Sequence, residues 1–258
     1  MQPVRAEALE ELRHQVAQIE ASVPTLAGAG HSVRLGIPAI DTALGGGLPV
    51  AAVHELAPAL PIHSGAAQGF AVALAAQSRG SVLWIETDFT RMENGAPYGP
   101  GLALSGLALD RLVLLTVPRS IDVLWAMEEA LRSRAVTTVI GEVPNDHTLD
   151  DGPATRRLSL TARDSGGFGL LLRQRPSPAA SAAATRWQVA AAPGAQDQFG
   201  GLGRTTFVLS LTKNRHGPCG HWLIAWDHHD RVFQEALSVS VAEAARDRPD
   251  RARLARTG

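Results

Sequence analysis

Lysine occurs once in this chain of 258 residues, at Lys213, and cysteine once, at Cys219. A single cysteine excludes an internal disulfide, and no N-terminal apolar run of the secretory type is present, so a reducing cytoplasm is the expected compartment. No stretch is apolar and long enough to cross a bilayer. Charge of neither sign dominates: 24 Lys and Arg stand against 25 Asp and Glu, giving a formal net charge of −1 and a pI near 6.8. That balance excludes a protein that coats nucleic acid or membrane by bulk electrostatics, so any DNA contact has to be local. There is also no Gly-x-Ser-x-Gly elbow, which leaves a hydrolase reading without its nucleophile.

What is present is ample apolar material, 45% of residues, in an order that specifies a fold class. Leu9, Leu12, Val16 and Ile19 recur at three- and four-residue spacing and predict an amphipathic helix within residues 1–26, ended by Pro24. A small-residue linker from Ala27 to Ser32 follows, and the core spans 33–240. Its expected pieces are a short helix from Ala39 to Leu44, a strand from Ala51 to Leu56 and an alanine-rich helix from about Ala66 to Ser78. Residues 81–86, 111–116 and 136–141 are continuous apolar runs of strand length, read as central parallel strands covered on both faces. Helices are expected from Ser120 to Ser133 and from Ala154 to Asp164, and a strand from Gly169 to Arg173. Such alternation of strand and helix is the pattern of βαβ units.

After Arg175 the pattern changes. Pro176 to Ala184 reads as a poorly specified loop, and three short strands around Arg186–Val189, Thr206–Leu211 and Trp222–Trp226 read as antiparallel pairs. The last segment, 241–258, is a basic tail in which Arg246, Arg248, Arg251, Arg253 and Arg256 outnumber Asp247 and Asp250. Pro249 breaks helical continuity there, so a disordered docking segment is expected.

A nucleotide-hydrolysing α/β protein needs glycines that turn N–H groups onto phosphate, a lysine for the terminal phosphates and a hydroxyl for magnesium. At the strand-to-helix junction this chain has Ala57-Pro58-Ala59-Leu60-Pro61-Ile62-His63-Ser64-Gly65, with no lysine. Gly45-Gly46-Gly47 precedes the strand rather than following it, and reads as a turn.

The run Leu35 to Pro49, followed by Val53-His54-Glu55-Leu56, Val82-Leu83-Trp84-Ile85-Glu86, Tyr98-Gly99-Pro100-Gly101-Leu102 and Gly106-Leu107 with Arg111-Leu112, is similar in order and spacing to the RecA superfamily. With Leu124 to Arg132, Val139-Ile140-Gly141-Glu142 and Thr185-Arg186-Trp187, it resembles most closely the ImuA family of RecA-like proteins from DNA-damage-induced mutagenesis operons. The resemblance covers about Arg34 to Asp227. It implies a RecA-like three-layer α/β fold, with a central, mostly parallel sheet and an antiparallel C-terminal extension. It also implies an accessory role in error-prone translesion synthesis, without catalysis and without a cofactor. The implied partners are an inactive Y-family-like polymerase homologue (ImuB) and an error-prone replicative-type polymerase. RecA itself, a second copy of the chain and DNA are further candidates, and association with the nucleoid is expected when DNA is damaged.

By position, the resemblance places Asp88 where recombinases carry their water-activating acid. It places Gly141, beside Glu142, where they carry a metal-supporting acid. Asp88 and Glu142 are therefore the candidate remnants of a nucleotide site, and a residual ATP-binding switch or a DNA-binding filament protein are the alternative functions. Leu9, Leu12, Val16 and Ile19 in the first helix, with Arg251, Arg253 and Arg256 in the tail, are the candidate partner-binding residues. Arg156, Arg157, Arg163, Arg173 and Arg175 are a second charge group, read as a solvated face before a phosphate track. His216, Cys219 and His221, with His228 and His229, hold zinc-type ligands in what reads more simply as a hairpin turn.

Overall fold

The computed structural model describes residues 32–133, 135–144, 151–194 and 203–236. The predicted helix carrying Leu9, Leu12, Val16 and Ile19, and the tail carrying Arg251, Arg253 and Arg256, lie outside the described residues.

Strands β1 (Ser32–Val33) and β2 (Leu48–Pro49) form a small antiparallel pair flanking helix α1 (Pro38–Ala43). Asp41 ties this entry segment together by accepting from the N–H groups of Leu35 and Gly36 at 2.9 and 3.0 Å. The triple glycine turns the chain back with φ of 72°, 117° and 128°, as expected of a turn. At Gly47 the turn also has no room for a side chain, because a Cβ would lie 2.7 Å from the carbonyl oxygen of Val33.

The main sheet contains β3 (Ala52–Pro58), β4 (Ser81–Thr87), β5 (Leu112–Val117), β6 (Val136–Val143), β7 (Phe168–Arg173), β8 (Thr185–Ala192), β9 (Thr205–Asn214), β10 (Gly220–Asp227) and β11 (Val232–Glu235). Their spatial order is β11-β10-β9-β8-β3-β7-β6-β4-β5. From β8 to β5 every neighbouring pair is parallel, and from β8 to β11 every pair is antiparallel. This is the three-layer α/β class the sequence predicts, with the antiparallel extension at its C-terminal end.

The two faces of the sheet bury different helices. Alternation along β4 sends Val82 and Trp84 to one apolar cluster and Ile85 to the other. The first cluster is built around α2 (Ser64–Gln77), in which every residue from Phe70 to Ala76 is buried. Alanine lets this helix approach the sheet closely, and Phe70 fills the remaining space against the rings of Trp187, Phe207 and Phe233, with centroids 6.0, 6.0 and 5.6 Å away. Truncating such a residue to alanine costs about 3–5 kcal/mol. The second cluster is made by α5 (Ser120–Arg132) and α6 (Asp151–Ser165), through Val123, Leu124, Met127, Leu131, Leu158 and Ala162.

One strand differs from its expectation. Residues 112–117 are apolar like the central strands, yet β5 is the edge of the sheet, and Val113, Leu114 and Leu115 are exposed in succession. A continuous apolar run records hydrophobicity without recording how many neighbours a strand has. Two helices were also unanticipated, α3 (Asp88–Asn94) and α4 (Gly99–Leu104). Among the described residues, no helix is long and apolar enough to cross a membrane.

Candidate functional site

The ends of β3, β4 and β6 and the start of α2 form the crevice in which open α/β sheets hold ligands. The strand–turn–helix junction a phosphate loop would use is present: β3 ends at Pro58, a 3-10 turn covers Pro61–His63, and α2 begins at Ser64. Three of its backbone donors are committed elsewhere. Ala59 N–H donates to Val189 O at 2.8 Å, His63 N–H donates to Leu60 O at 2.8 Å, and Ser64 N–H returns to Pro61 O. Pro58 and Pro61 have no N–H to offer. The loop side chains Leu60 and Ile62 are exposed hydrocarbon, the latter at 84%. These residues do not fit a nucleotide triphosphate: the loop holds no lysine or arginine, and the N–H groups of Ala59, His63 and Ser64 are spent on the chain itself.

Below this turn lies a pair of buried carboxyl groups. Ile85 and Gly141 are register partners of the parallel β4–β6 pair, so the next residues, Glu86 and Glu142, face each other under α2. Gln68 of α2 donates from Nε2 to Glu142 Oε1 at 3.1 Å. Burial raises the Glu142 pKa from 4.5 to about 6; the Gln68 hydrogen bond opposes the rise, the nearby Glu86 charge adds to it, and the Trp84 indole opposes it. Burial raises Glu86 too, against the pull of Arg91, whose Nη1 lies 3.8 Å from Glu86 Oε1. Glu86 Oε1 is buried without a hydrogen bond.

Asp88 directly follows the end of β4 and is not buried with Glu142. It is exposed in the first turn of α3, where an acid suits the helix dipole, and Thr87 caps that helix by accepting from Thr90 N–H at 3.0 Å. The acid that Glu142 meets is Glu86, which the sequence pattern includes in the apolar run 81–86 without singling it out. The period-2 alternation of Val82, Trp84 and Glu86 was the signal that placed it on the α2 face. Gly141 is held small by packing: a Cβ there would lie 2.0 Å from Met127 Sδ.

On the opposite face, Glu55 of β3 is sandwiched between two arginines. Arg173 of β7 donates from Nε to Glu55 Oε1, and Arg186 Nε of β8 lies 2.8 Å from Glu55 Oε2. Glu55 and Arg173 are buried. Lys213, register partner of Arg186, adds a third cation, and its pKa is lowered by burial and by Arg215 and Arg186, with Glu55 opposing.

These cations hold the segment that reads in sequence as a poorly specified loop. Arg186 donates to Ser177 O at 2.7 Å and to Ala179 O at 3.0 Å, Lys213 donates to Ser181 O, and Arg215 donates to Ala182 O. Ala182 N–H donates to Thr155 Oγ1 at 3.0 Å, and Ala184 N–H donates to Val53 O at 2.8 Å. Residues 176–184 are therefore a pinned strap.

The five arginines of the expected charge group do not act as one track. Arg173 is consumed by Glu55, Arg157 pairs with Glu128 at 3.4 Å, and Arg163 pairs with Asp164 at 3.5 Å, while Arg175 is exposed at the start of the strap. Arg156 and Arg163 line a groove of about 440 Å³ with Arg215 and His216. Residues 145–150 lie outside the described residues. Residues 215–219 form the β9–β10 hairpin, fixed by Asn214 Nδ2 donating to Ala43 O at 2.8 Å and Pro218 O at 3.0 Å. His221 Nδ1 lies 2.8 Å from Ser210 Oγ, and among the described residues no three His, Cys, Asp or Glu side chains are grouped to hold a metal ion.

No family model matches the chain. Protein ImuA of Caulobacter vibrioides strain NA1000 / CB15N is 30% identical, the match covering 82% of this chain and 93% of that protein. Protein ImuA of the strain ATCC 19089 / CIP 103742 / CB 15 matches with the same identity and coverage.

Proposed function

The chain belongs to the ImuA family, and from that membership we propose a non-catalytic accessory role in SOS-induced, error-prone translesion DNA synthesis. It works by protein–protein contact with an inactive Y-family-like polymerase homologue and an error-prone replicative-type polymerase. The observation that carries the non-catalytic half is the closed junction between β3 and α2: Ala59, His63 and Ser64 donate within the protein, and the loop holds no lysine or arginine to meet phosphate. The contact half is supported by β5, which among the described residues is an uncovered edge. Val113, Leu114 and Leu115 are exposed beside an unpaired strand edge, with Phe89 and Met92 of α3 and Ile121 and Trp125 of α5 also exposed. An open apolar edge is a template for a partner strand.

The test is titration calorimetry with magnesium-ATP, paired with pull-down of partners from damage-induced cells. The expected result is no heat of binding at millimolar nucleotide, with polymerase subunits co-purifying. A dissociation constant in the low micromolar range, lost in Glu86→Gln with Glu142→Gln, would instead establish a residual nucleotide switch.

A further inference from the structure

At the N-terminal ends of the parallel strands, opposite the crevice described above, lies a groove of about 510 Å³. Its apolar lining is Val33, Val50, Ala76 and Phe168, and its charged lining is Arg34, Arg79 and Arg231, with no acidic residue. Among the described residues these three arginines have no ion-pair partner, and Arg231 sits close enough to Arg111 to lower that group's pKa. Arg111 is already committed, donating to Gly80 O at 2.6 Å and Ser78 O at 2.7 Å. Among the described residues the groove thus pairs an apolar floor with a cationic rim that no acid neutralises.

The chain itself supplies a matching occupant. Residues 1–31 lead directly into Ser32, which is part of the groove wall. They contain Glu7, Glu10, Glu11 and Glu20 against Arg5 and Arg13, and the apolar seam Leu9, Leu12, Val16 and Ile19. We propose that this acidic, amphipathic segment docks in cis in the groove at Val33, Val50 and Phe168, with its glutamates on Arg34, Arg79 and Arg231, so that the free protein masks its own seam. The twelve residues between Ile19 and Ser32 reach about 40 Å when extended, more than enough for the segment to double back over the groove. The proposal does not depend on the adaptor reading, because it concerns the free chain alone.

The full-length protein tests it by cysteine trapping. In a Cys219→Ser background, Val50→Cys is combined in turn with Leu9→Cys, Leu12→Cys, Val16→Cys or Ile19→Cys, with Arg13→Cys as the control on another face. The expected result is an intramolecular disulfide for at least one seam position and none for the control. No bond at any seam position overturns the proposal; bonds that form only between chains overturn docking in cis in favour of a second copy. Hydrogen exchange of residues 9–19 in the otherwise unaltered protein is a second readout. Reversing the exposed rim with Arg79→Glu and Arg231→Glu should raise that exchange at least tenfold while the melting temperature holds, and adding Glu10→Arg and Glu11→Arg should restore protection. Exchange at unprotected rates before and after the rim reversal also overturns the proposal.

Discussion

Replacing Glu55 by glutamine removes one charge from the centre of three cations, and the consequence can be worked from burial. Glu55 and Arg173 are both less than a tenth exposed, whereas the Arg186 side chain retains 19% exposure and can rehydrate in part. Breaking a buried pair by removing one partner costs about 3–5 kcal/mol, because the partner's charge stays buried and uncompensated. Glu55→Gln should lie near 3 kcal/mol, since its amide oxygen still accepts from one guanidinium. For a domain of this size that lowers the melting temperature by about 6–12 °C. Arg186→Gln should cost less, about 1–2 kcal/mol, because Glu55 keeps Arg173. The strap supplies a second readout: Arg186 is oriented by Glu55 and donates to Ser177 O and Ala179 O, so Glu55→Gln should speed elastase cleavage within residues 179–184. Circular-dichroism melts and urea titrations give the stability, and timed proteolysis gives the strap. A loss below about 1 kcal/mol with unchanged cleavage would refute the reasoning, showing that solvent rather than Glu55 compensates the cluster.

Glu142→Gln should stabilise the protein above pH 6. A carboxyl whose folded pKa of about 6 exceeds its reference 4.5 weakens the fold once ionised, by about 2 kcal/mol, and the penalty fades as pH falls from 6 to 4.5. His54 runs the other way: burial lowers it from 6.5 to about 4, so its stabilising effect is present above 6.5 and lost as pH falls toward 4. Subtracting the Glu142→Gln stability profile from that of the parent isolates the first term, and a flat difference between pH 4.5 and 8 would contradict it. Gly141→Ala should cost about 1–3 kcal/mol by overpacking against Met127, with Met127→Ala in the same chain recovering part of the loss. Val113→Lys with Leu115→Lys should leave the melt within about 0.5 kcal/mol, since both side chains are exposed, yet abolish partner capture in pull-down.

Local pattern disclosed the parallel core because each strand carries its evidence within itself. The runs at 81–86, 136–141 and 169–173 each lie in a strand with neighbours on both sides. The same evidence misplaced residues 112–117, since apolarity is shared by a buried strand and an edge awaiting cover. Helix α3 went unread because its residues, Asp-Phe-Thr-Arg-Met-Glu-Asn, show no apolar stripe, and its start depends on the Thr87 cap directly after a strand. Helix α4 opens with Gly-Pro-Gly, which reads as turn chemistry. The strap at 176–184 looked unspecified for another reason: its donors come from Arg186, Lys213 and Arg215 on later strands, and no local pattern reports a partner so far along the chain. In the crevice, Glu142 was legible and Glu86 was not, because only the β4–β6 register makes them neighbours.

The placement of charge explains how this architecture stands without a phosphate loop. In a nucleotide-binding relative of such a fold, the junction of the first core strand and helix gains stability from ligand bound there. Here that junction makes three backbone hydrogen bonds within the protein, and α2 is anchored chiefly by Phe70 and its alanines, with His63 Nδ1 at its N-terminus accepting from Ala191 N–H at 3.3 Å. The strongest buried charges lie instead on the other face, where Glu55 joins β3, β7 and β8 through Arg173 and Arg186. That network ties the parallel half of the sheet to its antiparallel extension at the strand the two halves share. Changes in the junction loop at Leu60 and Ile62 should therefore be nearly silent in stability, whereas changes at Glu55 propagate into both halves and into the strap.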